Sequence, residues 1–270
     1  MALTINTNIA SLNAQRNLNT SQSALKTSLQ RLSSGLRINS SKDDAAGLAI
    51  AEKMSSQSRG MTVAMRNAND GISVAQTAEA GLSTVATHLQ RMRELATQAA
   101  SGQYDSTNRA ALDKEFKALA SEVSRAMDAT NFNGTKLLNG SYSGINFQIG
   151  ATTGSESKIA ITIGSVNVTS LTSISDVAAA TAAMSALDTA IDTVSNSRAD
   201  LGALQSRFEG VLSQLSAAKE NTDAARSRIM DADYAEETAS LSRAQILQQA
   251  GTAMLAQANA LPQNVLTLLQ

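Results

Sequence analysis

The chain has 270 residues, a formal net charge of −1, no cysteine, no tryptophan, a single proline and only 3% aromatics. Zero cysteines exclude thiolate zinc sites, thiol nucleophiles and a disulfide framework, and the charge balance lacks the basic field that non-specific nucleic-acid binding needs. The apolar content of 43% comes mostly from small and aliphatic side chains, which favours helices packed side by side over one thick core.

The first residues, Met1 to Asn19, lack the basic start, apolar run and small-residue cleavage site of a Sec-type signal peptide. A seam follows at Leu18, Leu25, Leu29, Leu32 and Leu36. Residues 1–42 also carry Arg16, Lys26, Arg31, Arg37 and Lys42 without one acid. The clearest periodicity begins at Met61 and continues through Met65, Ala68, Ile72, Ala75, Ala78, Leu82, Val85, Leu89, Met92, Ala96 and Ala99. That is a coiled-coil seam with one three-residue slip. A helix starting near Lys42 to Asp44, whose carboxylates suit a helix N-terminus, and ending near Ser101-Gly102 would be roughly 85 Å long at about 1.5 Å per residue.

A shorter helix is predicted through Leu112, Phe116, Leu119, Val123 and Ala126, lying back along the first and closed by the turn Asn131 to Gly134. Residues 139–175 alternate with period two between glycines, as in Ile145 to Ile149 and Ile159 to Ile163, and read as β-hairpins. A third seam runs through Leu187, Ile191, Val194, Leu201, Leu204, Phe208, Val211, Leu215, Ala218, Ala225 and Ile229. It can pair with the first long one.

The last seam is Leu247, Gly251, Met254, Ala258, Leu261, Val265 and Leu268. Pro262 within it removes a helix hydrogen bond, so it should kink or end the helix or start a final short turn. Residues 244–270 have no ionisable side chain, but the amides from Gln245 to Asn264 would each need a partner in lipid, so no membrane span is expected. Asp231, Asp233, Glu236 and Glu237 oppose the basic N-terminal segment, and the two termini are expected to pair. All aromatics lie between Tyr104 and Tyr234. The ends therefore lack large rings and should order mainly on association with other copies.

The expected fold is mainly α: a long antiparallel helical hairpin or coiled-coil bundle with a small β-hairpin region, its terminal helices paired as an inner coiled-coil domain. Residues 1–44 and 231–270 form the two parts of that inner domain, and 45–230 form a rod. Enzyme chemistry finds little support. His88 is the sole histidine, with no metal partner near it in sequence. The adjacent acids Asp43-Asp44 and Glu236-Glu237 point in different directions on a helix and suit capping or solvated faces. No phosphate loop, GxSxG elbow or HExxH occurs, and no cofactor is expected. The acceptor patterns at Asn133, Asn139 and Asn167 are of the kind that chance supplies in turn-rich sequence.

Several blocks in order resemble bacterial flagellin: Met1 to Asn8, Arg31 to Ser40 running on through Lys42 to Leu48, Arg66 to Ile72, Ala225 to Ile229, Asp231 to Tyr234, Gln245 to Gly251 and Pro262 to Leu266. The resemblance covers residues 1–140 and about 185–270. Residues 141–184 leave room for hairpins but not for outer domains, as in a minimal form of the family. A hook–filament junction protein is similar at the termini, but the short middle favours flagellin. A chemoreceptor signalling hairpin would carry its tip where the β region lies.

The resemblance implies a secreted subunit that polymerises into the flagellar filament for motility. It implies export of the unfolded chain through the flagellar apparatus, a chaperone at the C-terminal segment, and filament cap and hook–filament junction proteins as neighbours. Self-association would bury Leu25, Leu29, Leu32 and Leu36 with Leu247, Met254, Leu261, Val265 and Leu268. The uncharged C-terminal helix suits either a hydrated lumen or ordinary packing between subunits. Two immune surfaces follow by similarity. A plant leucine-rich-repeat receptor kinase would read the peptide Gln30 to Ala51, including Arg31, Leu32, Asn39, Asp43, Asp44 and Gly47. The animal flagellin-sensing Toll-like receptor would contact Arg91, Leu95 and Glu115, which can equally serve helix salt bridging and subunit packing.

Overall fold

The computed structural model describes residues 7–166 and 173–267, with 261–267 described as backbone only. Five helices dominate: α1 (Ile9–Ser34), α2 (Ala45–Ala100), α3 (Ser106–Ala129), α4 (Val177–Met230) and α5 (Tyr234–Thr267). Two short antiparallel hairpins lie between α3 and α4: β1 (Asn131–Phe132) with β2 (Thr135–Lys136), and β3 (Ile145–Gln148) with β4 (Lys158–Ile161). The chain divides into two compact units, one of residues 1–56 with 221–270 and one of 57–220. Both divisions fall inside a long helix, α2 and α4, rather than at a helix end.

In the unit 57–220, the seam that begins at Met61 turns inward as its spacing requires. Leu82, Val85, Leu89, Met92, Ala96 and Ala99 of α2 share one core with Phe116 and Val123 of α3 and Leu187, Val194, Leu201 and Phe208 of α4. Small residues set the approach of these helices. A Cβ on Gly71 would stand 2.7 Å from Cζ of Phe208, so the missing side chain seats that ring. The ring also meets Phe147 edge-on, with centroids 6.1 Å apart.

The turn expected at Asn131 to Gly134 is itself a hairpin. Asn133 and Gly134 both have positive φ, 48° and 79°, as the two-residue turn matching strand twist demands. In the second hairpin Ile145 faces Ile161 and Phe147 faces Ile159. Along β4, Ile159 and Ile161 are buried while Lys158 and Ala160 are exposed, so the period-two pattern marks the core side.

In the unit formed by the termini, α1 lies antiparallel to α5. Asn8 meets Ala258, Leu18 meets Gly251, and Arg31 meets Glu237 along the pair. Asn8 caps α1 by accepting the N–H of Ser11, and Gly35 ends it in the left-handed region at φ 70°. The connectors on either side are joined. Leu36 bridges Asp231, the N–H of Arg37 donates to Met230 at 2.6 Å, and that of Ala232 donates to Gly35 at 3.0 Å. The Arg37 guanidinium donates twice to the carbonyl of Ile229, near the C-terminal end of α4, where cations are favoured.

Two expectations for α5 are corrected. The helix does not end at Pro262 but continues to Thr267. The predicted seam holds only in part: Gly251 and Ala258 are covered, but Leu247 and Met254 are exposed, and Leu241, Ala244, Gln248 and Leu255 are the other buried or half-buried side chains along that face. The C-terminal helix is apolar on more than one face, so spacing alone does not choose which face is covered.

Candidate assembly and recognition surfaces

The unit containing both termini buries few apolar side chains, among them Ile38, Ala51, Ala244 and Ala258. It leaves large ones in solvent. Ile9, Leu12 and Leu29 of α1 and Ile246, Leu247 and Met254 of α5 are exposed, Ile246 and Met254 at 65%. Apolar exposure concentrated on one unit marks an interaction surface. Of the residues expected there, Leu29, Leu247 and Met254 are exposed, while Leu25, Leu32 and Leu36 are half-buried. Leu261 and Val265 lie in the backbone-only part of α5, and Leu268 lies outside the described residues. Ile9, Leu12 and Ile246 are additions. Their signal is the second apolar stripe beside each seam.

The segment from Gln30 to Ala51 folds as a helix end, a connector and a helix start. Gln30 is exposed, Leu32 is half-buried, and Arg31 pairs with Glu237 at 3.6 Å. The side chain of Asn39 donates to the carbonyl of Leu36. Asp43 accepts the N–H groups of Asn39 and Ser40, and these bonds hold its carboxyl below the ordinary carboxylate range. Asp44 accepts the N–H of Gly47 at 2.8 Å and so caps the start of α2. Gly47 and Ala51 are buried. A Cβ on Gly47 would lie 2.9 Å from Cδ1 of Ile38, so that helix start closes tightly over the connector.

Arg91 and Glu115 come together on the other unit. The Arg91 guanidinium donates to Glu115 Oε1 through Nε at 3.0 Å and Nη2 at 2.9 Å, and through Nη1 to Glu94 at 2.9 Å. One exposed cation thereby joins α2 to α3 between two carboxylates. Leu95 does not share this surface. It is 1% exposed and belongs to the core, one turn on from Met92 and beside Ala96. His88 is half-buried on the same helix.

Among the described residues no group of three or more His, Cys, Asp or Glu side chains is placed to hold a metal ion. No described helix is long and apolar enough to cross a membrane.

Long packed helices and a pair of terminal helices with apolar side chains turned outward define a helical subunit whose terminal unit presents an interaction surface. The bacterial flagellin N-terminal helical region matches residues 5–143, and the bacterial flagellin C-terminal helical region matches residues 184–269. The flagellin of Halalkalibacterium halodurans is 44% identical over 270 aligned residues, covering 98% of this chain and 99% of the relative. That of Bacillus subtilis is 42% identical over 302, again covering 98% and 99%. Flagellin A of Vibrio cholerae is 35% identical over 379 and both chains are fully covered. The crystal structure of Bacillus cereus flagellin superposes with a TM-score of 0.51 at 30% identity, covering 56% of this chain and 88% of that one. The chain belongs to the bacterial flagellin family. It is a secreted structural subunit of the flagellar filament. Between the two matched regions, the described residues 144–166 and 173–183 hold the β3–β4 hairpin and the start of α4.

Proposed function

We propose that this subunit is exported unfolded through the flagellar apparatus and assembles at the filament tip as its two termini order against neighbouring copies. The exposed apolar side chains of α1 and α5 carry this reading, because a lone subunit leaves them in water and a polymer covers them. In this scheme 1–44 and 231–270 are the inner domain and 45–230 the rod. A chaperone holds the C-terminal segment before export, and the cap and hook–filament junction proteins meet the growing end. Adding sheared filament fragments to purified subunit and following light scattering tests it. Growth is expected with the full chain and should vanish when residues 235–270 are deleted; growth without that segment overturns the reading.

The same chain serves as a ligand of flagellin-sensing receptors. Arg91 and Glu115 present a fixed, exposed charge pattern to the animal Toll-like receptor, with Leu95 supporting the helix from beneath. The plant receptor kinase reads Gln30 to Ala51 once the segment is freed from the fold, since Gly47 and Ala51 are otherwise covered.

A further inference from the structure

The facing seams of α1 and α5 share a seven-residue repeat. Leu18, Leu25 and Leu32 recur at that interval on α1, as do Ala244, Gly251 and Ala258 on α5. Sliding one helix past the other by seven residues, about 10 Å at 1.5 Å per residue, still sets leucine over small residues. Apolar patterning therefore leaves the register open.

Polar contacts close it. At one end the Ser11 hydroxyl, 8% exposed, donates to Asn259 Oδ1 at 2.8 Å. Beside it Asn8 works in two directions, its Oδ1 accepting the N–H of Ser11 at 3.1 Å and its Nδ2 donating to the carbonyl of Ala258 at 2.7 Å. At the other end Arg31 reaches Glu237, and just beyond it the connector ladder of Gly35 and Arg37 with Ala232 and Met230 joins the two chain segments. A seven-residue slip brings Leu18 to Ala258 and Asn259, strips Asn8 and Ser11 of these partners, and carries Glu237 away from Arg31. Sparse polar groups in a repeating helix seam specify alignment in this way, because the misaligned state leaves them unmatched.

We propose that Asn8, Ser11 and Asn259 form a register lock at the far end of the terminal helix pair, adding to the connector ladder at the near end to favour one alignment among the heptad-related ones that the apolar seam permits. The lock fixes which parts of the outward faces of α1 and α5 stand side by side. Only its consequence for the polymer rests on the assembly reading above.

The absence of cysteine makes the register directly measurable. A Cβ on Gly251 would lie 3.8 Å from Cβ of Leu18, the separation a disulfide requires. Leu18→Cys with Gly251→Cys reports the native register, and Leu25→Cys with Gly251→Cys reports the slipped one. Each pair is oxidised in sedimented polymer and in the soluble full-length chain, and products within one chain are separated by mass from those between chains.

With the lock intact, the native pair closes and the slipped pair stays at background. The lock is removed by Asn8→Ser, which keeps a capping oxygen, together with Asn259→Leu. The ratio of native to slipped product should then fall by about tenfold, as expected for losing two hydrogen bonds, with helicity by circular dichroism unchanged. An unchanged ratio, or slipped product equal to native with the lock intact, overturns the proposal. A chain that closes only the native pair yet ignores filament seeds overturns the assembly reading and leaves the lock standing.

Discussion

Asp113 of α3 accepts the backbone N–H of Ile174 at 2.8 Å, tying the segment before α4 to a helix 61 residues earlier in the chain. The same carboxylate accepts the hydroxyl of Ser173 at 2.8 Å and pairs with Lys117 at 2.6 Å. Burial by itself would raise its pKa, but Lys117, Ile174 and Ser173 together hold it below the ordinary value. A carboxyl depressed on folding contributes stability that is complete above its unfolded pKa, near 4, and is lost as pH falls through the folded value. Asp113→Asn should therefore cost about 1–3 kcal/mol at neutral pH, and its deficit should shrink on acidification below about pH 4. Chemical denaturation of both chains at several pH values measures this, and a deficit that is constant with pH refutes it.

Glycine has opposite meanings in the two long helices. Gly71→Ala places a methyl 2.7 Å from the Phe208 ring and should lower stability by about 1–3 kcal/mol despite the better helix former. Nothing lies within 4 Å of a Cβ on Gly202, so Gly202→Ala should stabilise by about 0.5–1 kcal/mol. Thermal melts of the two variants must move in opposite directions.

Charge on the outward face of α5 should separate assembly from folding. Met254→Asp and Ile246→Asp alter exposed side chains, so subunit stability should stay within about 0.5 kcal/mol. Seeded filament growth should slow by tenfold or more, because each new contact would bury an unpaired carboxylate. Growth at the parental rate would place the assembly face elsewhere.

Arg91→Asp removes the bridge to Glu94 and Glu115 on an exposed surface, so the fold should be kept, with helicity by circular dichroism unchanged. Signalling in a Toll-like receptor reporter cell should be lost. Leu95→Ala should do the reverse at the level of the fold, costing about 2–5 kcal/mol because its side chain lies in the core. Unchanged signalling by Arg91→Asp rejects that surface.

Much of the helical framework was legible because an alternating three- and four-residue repeat has one meaning when every repeat position is covered. Leu82, Leu89 and Met92 are fully buried as their spacing requires. Leu95, outside the predicted seam, is buried beside its member Ala96. Asp113 carried no comparable signal. Its partners Ser173 and Ile174 lie some 60 residues away, and no local pattern announces a carboxylate that anchors a distant backbone.

From composition and order alone the chain determines long helices poor in rings, a hairpin region between them, a cysteine-free surface and termini of opposite charge that pair. Tertiary structure decided which faces those helices present. On α5, Leu247 and Met254 are as apolar as Leu241 and Leu255, and only contact with α1 turns the second pair inward and the first outward. The physical reason is that burial is non-directional and proportional to area, so several faces satisfy it equally. The choice falls to features that fit one way: Gly251 beneath Leu18, and the amides of Asn8 and Asn259 with their partners within hydrogen-bond reach.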